Sequence, residues 1–209
     1  MIPIFYCVDD QYAPVLAASL QSLQVHATDE RGIVTSNHFH PLENLAVRKA
    51  LGIHRLFIVS QLTNFAMTGS LGWLMRNADT VPIANDRAYA GRVFPELMAN
   101  RLNQGPVLIY PEQELWYNYR KPRPGQRGAY YYAARFNVPI ISLFVEIPDD
   151  GPYVVHILET LYPDPQLPCR EASRALQAAD DAQRRAAYEA IYHRPYTDTF
   201  DARDIANRD

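Results

Sequence analysis

An α/β fold with a largely parallel central sheet flanked by helices is predicted by two features of this 209-residue sequence. Short apolar runs alternate with segments of helical period along most of the chain, the arrangement of strands joined by crossover helices. Two of the runs, Val107-Leu-Ile-Tyr110 and Val138-Pro-Ile-Ile-Ser-Leu-Phe-Val145, are apolar almost throughout and read as buried strands.

In chain order, strands are expected over residues 2–8, 32–36, 55–59, 80–84, 107–110, 138–145 and 153–158, because each is a short apolar run bounded by polar or turn-forming residues. Helices are expected between them over residues 13–26, 42–50, 69–77, 88–103 and 126–136. Residues 116–127 hold Pro122, Pro124 and Gly125 and are expected as a loop. Residues 170–192 are rich in Ala and Arg, with opposite charges at helical spacing such as Asp181 and Arg185, and read as a surface helix. There is no internal repeat or low-complexity linker, and the length is that of one domain able to bury a core.

A net charge of −3 argues against a nucleic-acid binder, which would carry a basic field. Cys7 and Cys169 are far apart, form neither a metal pattern nor a disulfide framework, and read as buried apolar residues. No apolar run is long enough to span a bilayer and the N-terminus is acidic within ten residues, so neither an anchor nor a signal peptide is expected. The expected compartment is the cytoplasm.

The most informative stretch is Ser36-Asn37-His38-Phe39-His40-Pro41-Leu42-Glu43, a histidine followed five residues later by a carboxylate. Histidine titrates near pH 6.5 and can take the proton of an attacking hydroxyl, help typically worth about 10²–10⁴ in rate. A carboxylate beside it holds one imidazole tautomer and stabilises the imidazolium that forms. The spacing works if His38 ends a strand and Glu43 sits on the first turn of the next helix, with Pro41 suited to that turn. His40 is a rival base. The second stretch, Val107 to Glu114, is a strand running into the charged turn Tyr110-Pro111-Glu112, and the third is Asn137 to Val145.

In order and spacing these three stretches resemble the lysophospholipid (glycerolipid) acyltransferase family, which carries Asn-His-x4-Asp, Phe-Pro-Glu-Gly and Val-Pro-Ile-x-Pro. The resemblance covers roughly residues 32 to 205. It implies transfer of a fatty acyl group from acyl-CoA or acyl-carrier protein to a hydroxyl of a lysophospholipid-like acceptor, with no metal or bound cofactor, since the thioester is already activated. It makes His38 the base acting directly on the hydroxyl and Glu43 the counterpart of the family's Asp. Asn37, Tyr110, Pro111 and Glu112 then belong to the substrate site. It also implies a protein that works as a peripheral partner of the membrane's inner face.

The sequence departs from the family pattern at defined places. Glu43 moves the carboxylate outward by one methylene. Gln113, Glu114 and Leu115 stand where Gly-Thr-Arg is common, and the arginine expected two residues after Ile83 is missing, Arg87 lying four beyond it. Trp116-Tyr-Asn-Tyr-Arg120-Lys121-Pro-Arg123-Pro-Gly-Gln-Arg127, a run found in a variant branch of the family, supplies other cations. Two readings of it stand: Arg120, Lys121 and Arg123 meet a phosphate of acceptor or donor, or the run is a solvated loop anchored by aromatics. Leu71-Gly-Trp-Leu-Met75, with Phe65 and Met67, is likewise either an interfacial surface or core.

Residues 1–30 are expected as a strand–helix segment packed on an acyltransferase domain of residues 31–209. Asp9, Asp10, Gln11 and Tyr12 are similar to the turn that meets the nucleotide in glycogenin-related glycosyltransferases, but Asp-x-Asp occurs nowhere in the chain. A second functional class stays open beside the enzyme: a non-catalytic or degenerate lipid- or acyl-chain-binding protein on the same fold. A nucleotide-sugar-binding remnant is a third.

Overall fold

The computed structural model describes residues 31–77 and 79–208. The elements expected over residues 2–8 and 13–26, with Cys7, Asp9, Asp10 and Tyr12, lie outside the described residues. Among the described residues six strands form one sheet: β1 (Ile33–Thr35), β2 (Phe57–Gln61), β3 (Thr80–Ile83), β4 (Val107–Ile109), β5 (Ile140–Glu146) and β6 (Val154–Ile157). Their order is β3-β2-β4-β1-β5-β6, and every pair is parallel except β5 with β6. The mixed α/β fold with a mostly parallel sheet is therefore the predicted one.

Among the described residues five α-helices accompany it: α1 (Glu43–Ala50), α2 (Gly69–Asn77), α3 (Phe94–Leu102), α4 (Gly128–Phe136) and α5 (Cys169–Tyr192). Alternation along β1 sends Ile33 to one face of the sheet and Val34 to the other. Ile33 joins Phe94, Met98, Tyr130, Ala133 and Leu176 of α3, α4 and α5. Val34 joins Val47 and Leu51 beside α1. The connection from β1 to β2 runs in the opposite direction along the sheet from those of β3 to β4 and β4 to β5. Right-handed crossovers therefore lay α1 on one face and α3 and α4 on the other.

Several expectations need correction. The helix expected from residue 88 begins with a π-helical turn, Tyr89–Val93, before α3, and the Tyr89 hydroxyl donates to the Pro82 carbonyl at 2.7 Å. Pro41 lies in the turn before α1 rather than in its first turn, the helix starting at Glu43. Helix α5 has the expected exposed face, and it also carries a stripe of buried residues spaced by four, Ala172, Leu176, Asp180, Arg184 and Tyr188. That stripe packs against α4 and β5. Asp181 pairs with Arg184 at 2.8 Å instead of Arg185, which reaches Asp198 at 3.5 Å, because Arg184 is drawn inward by the other acids beneath the site. Cys169 opens α5 half-exposed instead of buried.

Candidate active site

Parallel pairing of β1 with β4 assembles the site. Thr35 is in register with Ile109, so His38 and Glu112, each three residues further on, leave the sheet side by side at its carboxyl edge. The His38 backbone N–H donates to Glu112 Oε2 at 3.3 Å. The His38 Nδ1 meets Glu43 Oε1 across the turn. Glu43 is the first residue of α1, where a carboxylate is favoured by the helix dipole, and its other oxygen accepts the N–H groups of Phe39 at 2.7 Å and His40 at 2.8 Å. With a side chain 1% exposed, Glu43 is an internal anion with three donors.

The ring of His38 stacks on that of Tyr110, centroids 4.1 Å apart, and Nε2 makes no hydrogen bond to any described residue. Burial, then the charge of Glu43, holds the Tyr110 phenol well above its ordinary range. His40, the rival base, accepts the Leu42 N–H on Nδ1 at 3.1 Å. Burial lowers its pKa, against the pull of Glu43, so the neutral ring is favoured.

Asn37, expected among the substrate contacts, is buried. Its carboxamide bridges to β5, donating to the Val145 carbonyl at 3.0 Å and accepting the Val145 N–H at 2.8 Å, and so extends β1 sideways just before His38. Pro111 is also buried, its carbonyl accepting the Gln126 N–H at 2.7 Å.

Residues 116–127 form the predicted loop, and it clamps the histidine turn. The Trp116 N–H donates to the His38 carbonyl at 3.1 Å, and the N–H of Asn118, itself at φ 54°, donates to the Phe39 carbonyl at 3.0 Å. The cations expected to face a phosphate have other partners. Arg120 binds the Ile147 carbonyl at 2.9 Å and Asp149 at 2.5 Å. Lys121, 5% exposed, is held by Asp204 at 3.1 Å and the Thr199 carbonyl at 2.8 Å. Arg123 binds Glu112 at 3.0 Å and lies over the Trp116 ring at 4.5 Å. These pairings form because the loop crosses the carboxylates of its own fold before it meets solvent.

Glu112 is a buried hub of the site. Besides the His38 and Arg123 contacts, it lies 3.7 Å from the guanidinium of Arg184, whose side chain is 1% exposed. Burial raises the Glu112 pKa in spite of both arginines. Arg184 also reaches Asp181, Asp180 and the Tyr130 hydroxyl at 2.8, 3.5 and 3.2 Å. Asp180 in turn accepts from Tyr130 at 2.6 Å and from Thr35, at the end of β1, at 3.1 Å. Sequence reasoning missed Asp180 and Arg184. Acids and an arginine at i, i+3 and i+4 in a helix look like a solvated face, and only the absence of any large apolar residue between Leu176 and Tyr188 hints otherwise.

A cleft of about 220 Å³ opens beside His38 along the carboxyl ends of β4, β2 and β3. Its walls are apolar at Val59, Ile83, Phe94, Ile109 and Tyr132, and His38 and Tyr110 close one end. A histidine braced by a carboxylate on one ring nitrogen, with the other ring nitrogen unbonded and the ring lining a cleft of apolar and neutral polar groups, can deprotonate a hydroxyl carried by an amphiphilic molecule.

The fold and this constellation accord with the sequence family: the acyltransferase family model matches residues 17–146, more than half of the chain, and the chain belongs to that family. Among solved structures it is similar to the 1-acyl-sn-glycerophosphate (LPA) acyltransferase PlsC from Thermotoga maritima. The identity is 15%, 81% of this chain and 70% of that chain are covered, and the TM-score is 0.57, a likeness of fold. No curated protein matches the chain. The family match begins inside the segment that resembles glycogenin-related enzymes, and nothing in these comparisons supports that second resemblance. Among the described residues no helix is long and apolar enough to cross a membrane.

Proposed function

We propose that the protein moves a fatty acyl group from the thioester of acyl-CoA or acyl-carrier protein to a hydroxyl of a glycerolipid-like acceptor, with His38 as general base. The observation that carries this is the Glu43–His38 pair presented to a cleft of mixed apolar and neutral polar lining within an acyltransferase-family fold. Glu43 holds the proton on Nδ1, leaving Nε2 to accept the hydroxyl proton as the oxygen attacks the thioester carbonyl. The new C–O bond forms, the C–S bond breaks, and the proton passes from His38 to the departing thiolate. No acyl-enzyme is required. Asn37, Glu112 and Arg123 act by fixing the histidine turn, and Tyr110 by setting the ring plane. Leu62, Met67 and Trp73, exposed beside the cleft residues Gln61 and Asn64, form a surface suited to peripheral contact with a membrane.

The test is thiol release from palmitoyl-CoA in the presence of a panel of hydroxyl acceptors, for the parent and His38→Ala. Acceptor-dependent release that falls at least about 10²-fold in His38→Ala supports the reading. Tight binding of palmitoyl-CoA without release from any donor, carrier-protein thioesters included, would put a non-catalytic acyl-chain-binding protein in its place.

A further inference from the structure

We infer that the acceptor offering its hydroxyl to His38 is uncharged at that end: a neutral hydroxyl-bearing amphiphile rather than a phosphomonoester. This rests on the acyl-transfer reading above and names its substrate class. The polar residues lining the cleft are Ser60, Gln61, Asn64, Asn85, Gln113 and Gln126, hydroxyl and carboxamide groups that each offer both a donor and an acceptor, as a hydroxylated head group requires. Among the described residues lining it there is no lysine, arginine, aspartate or glutamate.

A phosphomonoester carries about −1.5 to −2 charges near pH 7 and needs cations or several convergent donors. The loop cations are engaged within the fold: Arg120 with Asp149, Lys121 with Asp204 and Arg123 with Glu112. Residues 1–30 contain no lysine or arginine: their acids are Asp9, Asp10, Asp29 and Glu30, and their one basic side chain is His26. The first turn of α4, at Gly128, borders the cleft and supplies about half a positive charge. Against it stands the carboxylate of Glu43, in contact with the His38 turn, while Glu112 is paired with Arg123 and Arg184. The cations closest in sequence to the lining, Arg87 and Arg127, are exposed outside it. An anion entering the cleft would exchange water for neutral dipoles beside the Glu43 carboxylate. A neutral glyceride would exchange water for matched hydrogen bonds and apolar walls.

The experiment compares 1-monooleoylglycerol with 1-oleoyl lysophosphatidate, matched in chain and presented in the same neutral detergent, by thiol release from palmitoyl-CoA. A kcat/KM for the monoacylglycerol at least about tenfold higher, with the lysophosphatidate rate unmoved in the Arg87→Gln/Arg127→Gln double variant, is expected. A smaller preference, or one for lysophosphatidate, overturns the inference while leaving acyl transfer intact. If no acceptor supports release, the acyl-transfer reading fails, and the inference is decided by binding of the same two lipids to the parent, followed by tryptophan fluorescence at low and high salt. Tighter, salt-insensitive binding of the monoacylglycerol upholds it. Tighter binding of lysophosphatidate, or binding of neither, overturns it.

Discussion

The ring of Tyr110 lies flat on the ring of His38, with centroids 4.1 Å apart and planes 9° from parallel. The stack covers one face of the ring while the Glu43 contact holds its Nδ1 edge, and together they fix the plane of the imidazole. The Tyr110 hydroxyl is buried and makes no hydrogen bond of standard geometry, although the Glu43 charge is near enough to raise its pKa. Tyr110→Phe therefore keeps the stack and activity, and leaves stability unchanged or raised by up to about 1 kcal/mol. Tyr110→Ala loses both, at a cost of about 2 kcal/mol or more in stability. Urea unfolding and initial rates on the same preparations separate the two.

The longer acid fits this turn. Glu43 reaches His38 and two backbone amides at once, so its extra methylene is already absorbed by the chain path between Phe39 and Leu42. Glu43→Asp is expected to reduce kcat by about tenfold or more, with KM little changed, because a short misplacement of a positioning group is costly. A rate increase in Glu43→Asp would mean instead that the dyad is detuned as it stands.

Glu112 sets a pH dependence of stability. Its pKa is raised in the fold, so the folded state holds the proton more firmly than the unfolded chain does. That contribution is present in full below the ordinary value of 4.5 and is lost as the pH rises through the folded value. Removing the charge in Glu112→Gln should flatten the pH profile above 4.5. Arg184 keeps Asp180 and Asp181 as partners, and by the same sign the neutral Gln is expected to leave stability at neutral pH unchanged or slightly raised. Urea midpoints from pH 4 upward, on about half-unit steps, test both signs.

Gly125 is held by close approach. A Cβ there would lie 2.9 Å from the Tyr130 hydroxyl, 3.0 Å from Pro111 Cβ and 3.1 Å from Arg184 Nη2. Gly125→Ala should cost about 1–3 kcal/mol by overpacking. Because the strain falls on Arg184 and Pro111, the effect reaches the histidine turn, and a fall in kcat beyond the loss of folded protein is expected.

Trp73 is 63% exposed on α2, with Met67 and Leu62 also outward, so the core alternative for Trp73 and Met67 does not hold. The side chains of Leu71 and Leu74 lie outside the described residues. Trp73→Glu should weaken sedimentation with vesicles of phosphatidylcholine by about tenfold or more, without changing turnover of a water-soluble short-chain thioester and acceptor. Unaltered binding would remove this surface from membrane contact.

Much of the fold was legible in the chain because parallel strands buried on both faces are written as apolar runs. Thr80–Ile83 and Gly69–Asn77 fall within a residue of their expected bounds. The dyad was legible because both members are local, five residues apart across one turn. What the Trp116 to Arg127 run does was not legible. Its cations have the same composition whether they face a ligand or the protein, and which they face depends on Asp149, Asp204 and Glu112, residues brought up by other elements.

The sequence by itself determined an α/β sheet, the order of its strands and helices along the chain, and a histidine with its carboxylate at the end of a strand. Only the tertiary structure decided that Glu112 and Arg184 lie beneath that histidine, that Arg120, Lys121 and Arg123 are engaged within the fold, and that the cleft is lined by neutral groups. The physical reason is distance along the chain. Periodicity and turn chemistry act within a few residues, whereas Glu112 and Arg184 are set beside His38 by strand register and by the packing of α5, interactions that no local pattern encodes.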